Sequence, residues 1–169
     1  MTKGSRLLII AVIAQMAVLV GMYVTAALPL WTGAEIRLAT APVDPRSLFR
    51  GNYALLSYDI SEIDSTYFKN LDELRHGEIV FILLSNTDEV SRLDGVTLMK
   101  PSEGRFVRGR LQNPNSSLAT QRIRYGIEAF FAPKEEALLL EKKLRTGAVA
   151  VVFLSQNGKP ALHAIEPRR

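Results

Sequence analysis

The sequence predicts a mainly β protein of the α+β class, in which an N-terminal transmembrane helix is followed by a mostly antiparallel, barrel-like β domain with one substantial helix. Three observations predict it. Leu7 to Leu30 is an apolar run in which only Gln15 and Thr25 are clearly polar, and about 20 such residues suffice for a helix to cross the hydrocarbon core. Downstream, short apolar or alternating segments are punctuated by Gly, Pro and Asn, as strands and their turns are. One segment departs from that rhythm: Pro133 to Gly147 opens on a proline, carries Glu135 and Glu136 early and Lys142, Lys143 and Arg145 late, and stops at a glycine. That order suits the helix dipole and both helix ends.

The N-terminal run reads as an uncleaved anchor. Lys3 and Arg6 precede it, so the positive-inside rule keeps that end cytoplasmic and sends the chain after Leu30 outward. Val24-Thr25-Ala26 would serve as a signal-peptidase site, giving a secreted domain cleaved after Ala26. Against cleavage, the apolar run is long for a signal sequence and continues to Trp31, which suits a membrane interface. The chain therefore divides into residues 1–31, a cytoplasmic terminus and anchor, and residues 32–169, an extracytoplasmic β-rich domain of ordinary single-domain size. Gln15 and Gly21 are candidate helix-contact positions within the span.

Glu35 to Leu38 alternates polar and apolar as a half-buried strand does. It runs into Pro42-Val43-Asp44-Pro45-Arg46, where two X-Pro steps impose a pre-set turn. Gly51 precedes the strand Tyr53 to Tyr58. Tyr53 is out of phase with Leu56 and Tyr58, so both tyrosines face the core only if a bulge or bend intervenes near Gly51, and a sharply bent strand is expected. Asp59 to His76 reads as a polar connection with one or two helical turns, packed by Tyr67, Phe68, Leu71 and Leu74 and ended by Gly77. Ile79 to Leu84 is a central strand, and Val96 to Met99 a shorter one bounded by Asp94-Gly95. Arg105 to Gln112 and Gln121 to Phe131 form a long hairpin across Asn113-Pro114-Asn115-Ser116-Ser117. Ala148 to Leu154 is a buried strand, and the Asn157-Gly158 turn returns the chain along Ala161 to Ile165.

The segment Arg50-Gly51-Asn52-Tyr53-Ala54-Leu55-Leu56-Ser57-Tyr58, with Pro42 to Arg46 before it, resembles the signature of the GDYXXLXY family of bacterial membrane-anchored proteins. The similarity extends to Pro29-Leu30-Trp31-Thr32-Gly33 and to Tyr125-Gly126-Ile127-Glu128 with Phe130 and Phe131. Asn52 stands where the family has Asp, which keeps a hydrogen-bonding side chain and removes a charge. The resemblance implies an anchored domain in the periplasm, on the bacterial inner membrane, often encoded beside multi-spanning membrane proteins, and it implies no reaction. The order of turn, glycine with Asp or Asn, and apolar strand also resembles the "GD box" of cradle-like β-barrels.

Chemistry is sparsely signalled. The chain has no cysteine, which excludes disulfides and thiolate nucleophiles. His76 and His163 have no neighbouring ligands at zinc spacing, so neither metal nor cofactor is expected. Ser47 lies near Asp44 but has no adjacent base. The glycines of Arg50-Gly51 and Arg108-Gly109-Arg110 match no phosphate loop. Asp88/Glu89 and Glu135/Glu136 are adjacent pairs that diverge in direction. Glu128, among apolar strand residues, is expected to pair with Arg46 or Arg50 and to support the bend.

The net charge of +4 is half carried by Lys3 and Arg6 and is no nucleic-acid signature. The remainder is uneven: Trp31 to Asp94 is acidic and Gly95 to Arg169 basic. Arg108 and Arg110 share one strand face, as do Arg122 and Arg124, so paired strands would line up four guanidiniums able to hold lipid phosphates, an acidic loop of a partner or an anionic envelope polymer, the alternative being that register disperses them or the acidic first half neutralises them. Leu48 and Phe49 in the turn are a second candidate contact. The expected function is non-enzymatic: a bilayer-anchored accessory or interaction module for an integral membrane protein. The alternative is a periplasmic hydrolase or envelope-ligand-binding protein on a cradle-like scaffold, using Ser47, Asp44 and Glu128.

Overall fold

The structure, a computed structural model, describes residues 3–41, 53–85, 90–131 and 147–168. The turn from Pro42 to Asn52, with Ser47, Leu48 and Phe49, lies outside the described residues, as do both adjacent carboxylate pairs and the expected helix from Pro133.

Helix α1 (Lys3–Thr32) presents exposed apolar side chains all round, among them Leu7, Val12, Met16, Leu19 and Tyr23. A helix apolar on every face has no single groove to fill. The segment Gly4–Leu28 is long and apolar enough to cross a membrane. The Thr25 and Thr32 hydroxyls donate to carbonyls one turn back, at Gly21 and Leu28, and so satisfy themselves within the helix. Only Gly33 separates α1 from strand β1 (Ala34–Ala41).

β1 is interior to the first sheet. It pairs antiparallel with β10 (Ala148–Leu154), from Ala34 opposite Leu154 to Ala39 opposite Val149. β10 in turn pairs with β11 (Pro160–Pro167). The far end of β1 takes β3 (Ser57–Tyr58), with Thr40 opposite Tyr58. A short sheet joins β2 (Tyr53–Leu55) to β9 (Ala129–Phe131). The third sheet runs in the order β4 (Glu62–Asp64), β8 (Thr120–Arg124), β7 (Arg105–Gln112), β5 (Ile79–Leu84), β6 (Leu93–Thr97).

The two-residue period is clearest in β8, whereas β10 is buried on both faces. Val80, Ile82, Val107, Leu111 and Ile123 turn inward and meet Leu38, Tyr58, Ile63 and Val152 in one core. The sheets curl toward each other because backbone bonds cross between them. Arg108 N–H donates to Gly158 O in the β10–β11 turn, Ser91 N–H to Arg37 O, and Leu56 N–H to Glu128 O. The result is a half-barrel of mostly antiparallel strands with one long N-terminal helix.

Several elements differ from expectation for identifiable reasons. The expected strand Gln121 to Phe131 is two, β8 and β9, because Gly126 takes a φ of +84° that no strand accommodates. β6 runs through Asp94-Gly95 rather than starting after it, and Leu98 and Met99 fall outside. The connection after Tyr58 holds three 3₁₀ turns, Asp59–Ser61, Ser65–Tyr67 and Leu71–Glu73, and an additional strand, β4. Phe68 and Leu71 are buried there, but Tyr67 is exposed. The segment Tyr53 to Tyr58 breaks at Leu56, where the chain leaves β2 for β3 and changes sheets, whereas Gly51, near which the bend was expected, lies outside the described residues.

Candidate functional site

The signature strand and the Tyr125-Gly126-Ile127-Glu128 turn are tied to each other. Leu56 N–H donates to Glu128 O at 2.7 Å. Two residues on, the Tyr58 hydroxyl donates to Ile127 O at 2.6 Å, and the Tyr125 hydroxyl donates to Ile60 O. The two rings meet edge to face with centroids 6.4 Å apart, the favourable approach for aromatic quadrupoles. Leu56 and Tyr58 alternate inward across Ser57, and Ser61 Oγ accepts from Tyr58 N–H.

Glu128 closes the turn. One carboxylate oxygen accepts from Tyr125 N–H and the other from Gly126 N–H, and its side chain is 18 % exposed. The positive φ of Gly126 is what aims both amides at a single carboxylate. Burial first, and the nearby Glu128 charge second, push the phenols of Tyr58 and Tyr125 well above the ordinary value. Both therefore act as fixed hydrogen-bond donors at any physiological pH, and neither is a base.

Beside this knot lies an open cleft of about 490 Å³, lined by the signature side at Leu55, Leu56, Ser57, Ser61 and Glu62 and by Gln112, Arg122, Ile123, Arg124 and Glu128 opposite. Its charges alternate. Arg122 sits 3.1 Å from Glu62, with both side chains more than half exposed, and Arg124 lies 4.0 Å from Glu128. The cleft suits a polar ligand bearing both signs, but the described part holds no assembled acid, base and nucleophile. Ser61 Oγ is occupied by a backbone amide, and His76 Nδ1 instead accepts from Asn113 N–H. His163 stacks edge-on against Phe153. Among the described residues no three His, Asp or Glu side chains converge as metal ligands.

The arginines do come together. β7 and β8 pair with Arg110 opposite Arg124 and Gln112 opposite Arg122, so Arg108, Arg110, Arg122 and Arg124 all stand on the outer face of the third sheet. Arg110 also donates to Gly77 O at 2.9 Å. Of the signature residues, Tyr53, Leu56, Tyr58, Tyr125, Gly126 and Glu128 are brought to one place, with Tyr53 pairing by backbone to Phe131. Pro42, Asp44, Pro45, Arg46, Arg50, Gly51 and Asn52 lie outside the described residues. The partners of Glu128 that are described are backbone amides and Arg124, a capping role that the strand pattern did not suggest.

Two contributors were not read from the sequence. Gly109 occupies an inward position between Val107 and Leu111, and a Cβ there would come within 2.3 Å of Ile123 Cγ2 and 3.0 Å of the Tyr125 ring. Gln121 is buried, and its amide donates to Ser65 Oγ and Asn115 O while accepting from Asn115 N–H. The signal for both was the two-residue period, which places a glycine and a glutamine on core-facing positions.

These features define a small β half-barrel carried on an apolar N-terminal helix, its signature strand knotted by two tyrosines to a carboxylate-capped turn. The chain belongs to the GDYXXLXY protein family, whose model matches residues 15–165 and so takes in both sides of the knot. No curated protein and no solved structure matches it.

Proposed function

We propose that α1 is retained as a single-pass anchor with its N-terminus in the cytoplasm, and that the half-barrel is a periplasmic accessory module for an integral membrane protein. The observation that carries this reading is the single residue, Gly33, between an apolar helix of spanning length and the first interior strand. A β domain attached so closely works at the bilayer surface, where membrane proteins present their loops. The arginine face supplies the contact: four guanidiniums on one sheet surface suit a partner loop rich in carboxylates.

Crosslinking in native membranes, followed by mild-detergent purification and mass spectrometry, tests this. A stoichiometric integral-membrane partner is expected, and Arg108→Glu with Arg110→Glu should lose it without altering the thermal melt. A protein that purifies alone would overturn the accessory role, and a mature N-terminus at Leu28 or Ala27 would overturn the anchor. The cleft favours a second reading, binding of a polar envelope ligand between Glu62, Arg122 and Arg124.

A further inference from the structure

Outside α1, Met99 is 81 % exposed and Leu98 46 % exposed, the one pair of adjacent large apolar side chains so exposed among the described residues. They follow β6 in a segment without strand partners. The fold places them near the helix exit. Thr32 ends α1, Ala34 pairs with Leu154, and Leu154 pairs with Pro160, a distance of roughly 10 Å across two strand spacings. The turn between those two residues is held to the 98–105 segment by Lys100 Nζ, which donates to Asn157 Oδ1 at 2.8 Å, and to β7 by Arg108 N–H, which donates to Gly158 O at 2.8 Å. α1 itself contacts β10 and β11, and Ala27 is buried.

Three exposed cations belong to the segment and the turn bonded to it, Lys100 and Arg105 in the first and Lys159 in the second, against one carboxylate in the segment, Glu103, and another in β6, Asp94. Exposed apolar tips in a segment with basic side chains match a leaflet of anionic headgroups over acyl chains. Trp31, 63 % exposed at the end of α1 and edge-on to Tyr23, marks the same depth from the anchor side. We infer that Leu98 and Met99, flanked by Lys100, Arg105 and Lys159, form a second membrane contact that seats the half-barrel on the anionic surface from which its anchor emerges. This inference rests on the anchor reading. It adds a fixed orientation: the 98–105 segment faces the bilayer, and the Asn113 to Leu118 turn, at the opposite end of β7, faces away.

The chain lacks cysteine, so single labels are unambiguous. Full-length Met99→Cys and Leu118→Cys, each carrying a fluorophore, are reconstituted into phosphatidylcholine vesicles with and without phosphatidylglycerol, and quenched by lipids bearing acyl-chain nitroxides. Leu118 is itself an exposed apolar residue, so it controls for general adhesion. Quenching at position 99 and not at 118, increased by phosphatidylglycerol and lost with Lys100→Glu, Arg105→Glu and Lys159→Glu together, is the expected result. Equal quenching at both positions, whether strong or weak, overturns the seating. Quenching at 99 that ignores both the anionic lipid and the charge reversal overturns the headgroup assignment. Carbonate extraction of the same vesicles separates the two readings: protein that stays with the lipid keeps the anchor even where the seating fails, and protein that washes off overturns the anchor and the seating with it. Circular dichroism of the triple variant confirms that it is folded.

Discussion

Tyr58 and Tyr125 exchange hydrogen bonds across two sheets: each hydroxyl donates to the carbonyl two residues beyond the other tyrosine, Tyr58 to Ile127 and Tyr125 to Ile60. The symmetry makes the pair a single fastening. Both ends must be in place for either ring to find its acceptor, and a buried carbonyl that loses its donor is costly.

Tyr58→Phe or Tyr125→Phe should each destabilise the full-length protein by about 1–2 kcal/mol. The double variant should fall short of the sum by about 0.5 kcal/mol or more, because the second loss meets a fastening already loosened. Urea unfolding in detergent, read by circular dichroism, measures all three.

Alkaline pH should act through the same pair. Both phenols have folded-state values raised above the ordinary one, so above about pH 10 the unfolded chain releases protons that the folded chain keeps. The folded state then binds more protons, and stability declines as pH rises, each phenol contributing a slope of about 1.4 kcal/mol per pH unit. Below that range the pair's contribution is fully present. Denaturation at stepped pH should show a shallower alkaline decline in the double phenylalanine variant than in the wild type.

Gly109→Ala should cost about 1–3 kcal/mol by overpacking, since the added methyl meets Ile123 and the Tyr125 ring. Gly126→Ala should cost about 1 kcal/mol through backbone strain at a positive φ, with open space around the new methyl. Thermal melts of the two variants compare a clash inside β7 with a conformational penalty in the turn it packs against.

Glu128→Ala should remove the acceptors of two amides and cost about 2–3 kcal/mol, with Glu128→Gln losing about half as much because one carbonyl oxygen remains. Glu62→Ala should change stability by less than about 1 kcal/mol, since its pair with Arg122 is exposed. Equal losses at the two positions would contradict the capping role.

Local chemistry made much of this legible. Arg105 to Gln112 and Ile79 to Leu84 could be bounded from alternation and apolar runs, and the Asn157-Gly158 turn from its dipeptide. The four arginines could be placed on shared faces by period alone, and pairing of their strands then brought them together. The split at Tyr125 was not legible because it depends on a carboxylate reaching back to two amides, a contact that no periodicity encodes. β4 was equally hidden: three residues, Glu62 to Asp64, become a strand only because β8 offers them an edge. Gly109 was read only as a glycine that matches no phosphate loop, because the sequence does not show that Ile123 and the Tyr125 ring lie against it.

β1 is flanked on one side by β10, which is synthesised long after it, so the anchored strand waits for a distant partner. Leu154 is synthesised about 120 residues after Ala34, on the order of ten seconds later at ordinary elongation rates. During that interval the edge of β1 that β10 takes stays open. Thr40, whose hydroxyl bonds Ala148 across the same gap, is also without its partner. A message cut short before residue 147 would leave that edge without β10, so the pairing of β1 depends on translation reaching the β10–β11 hairpin.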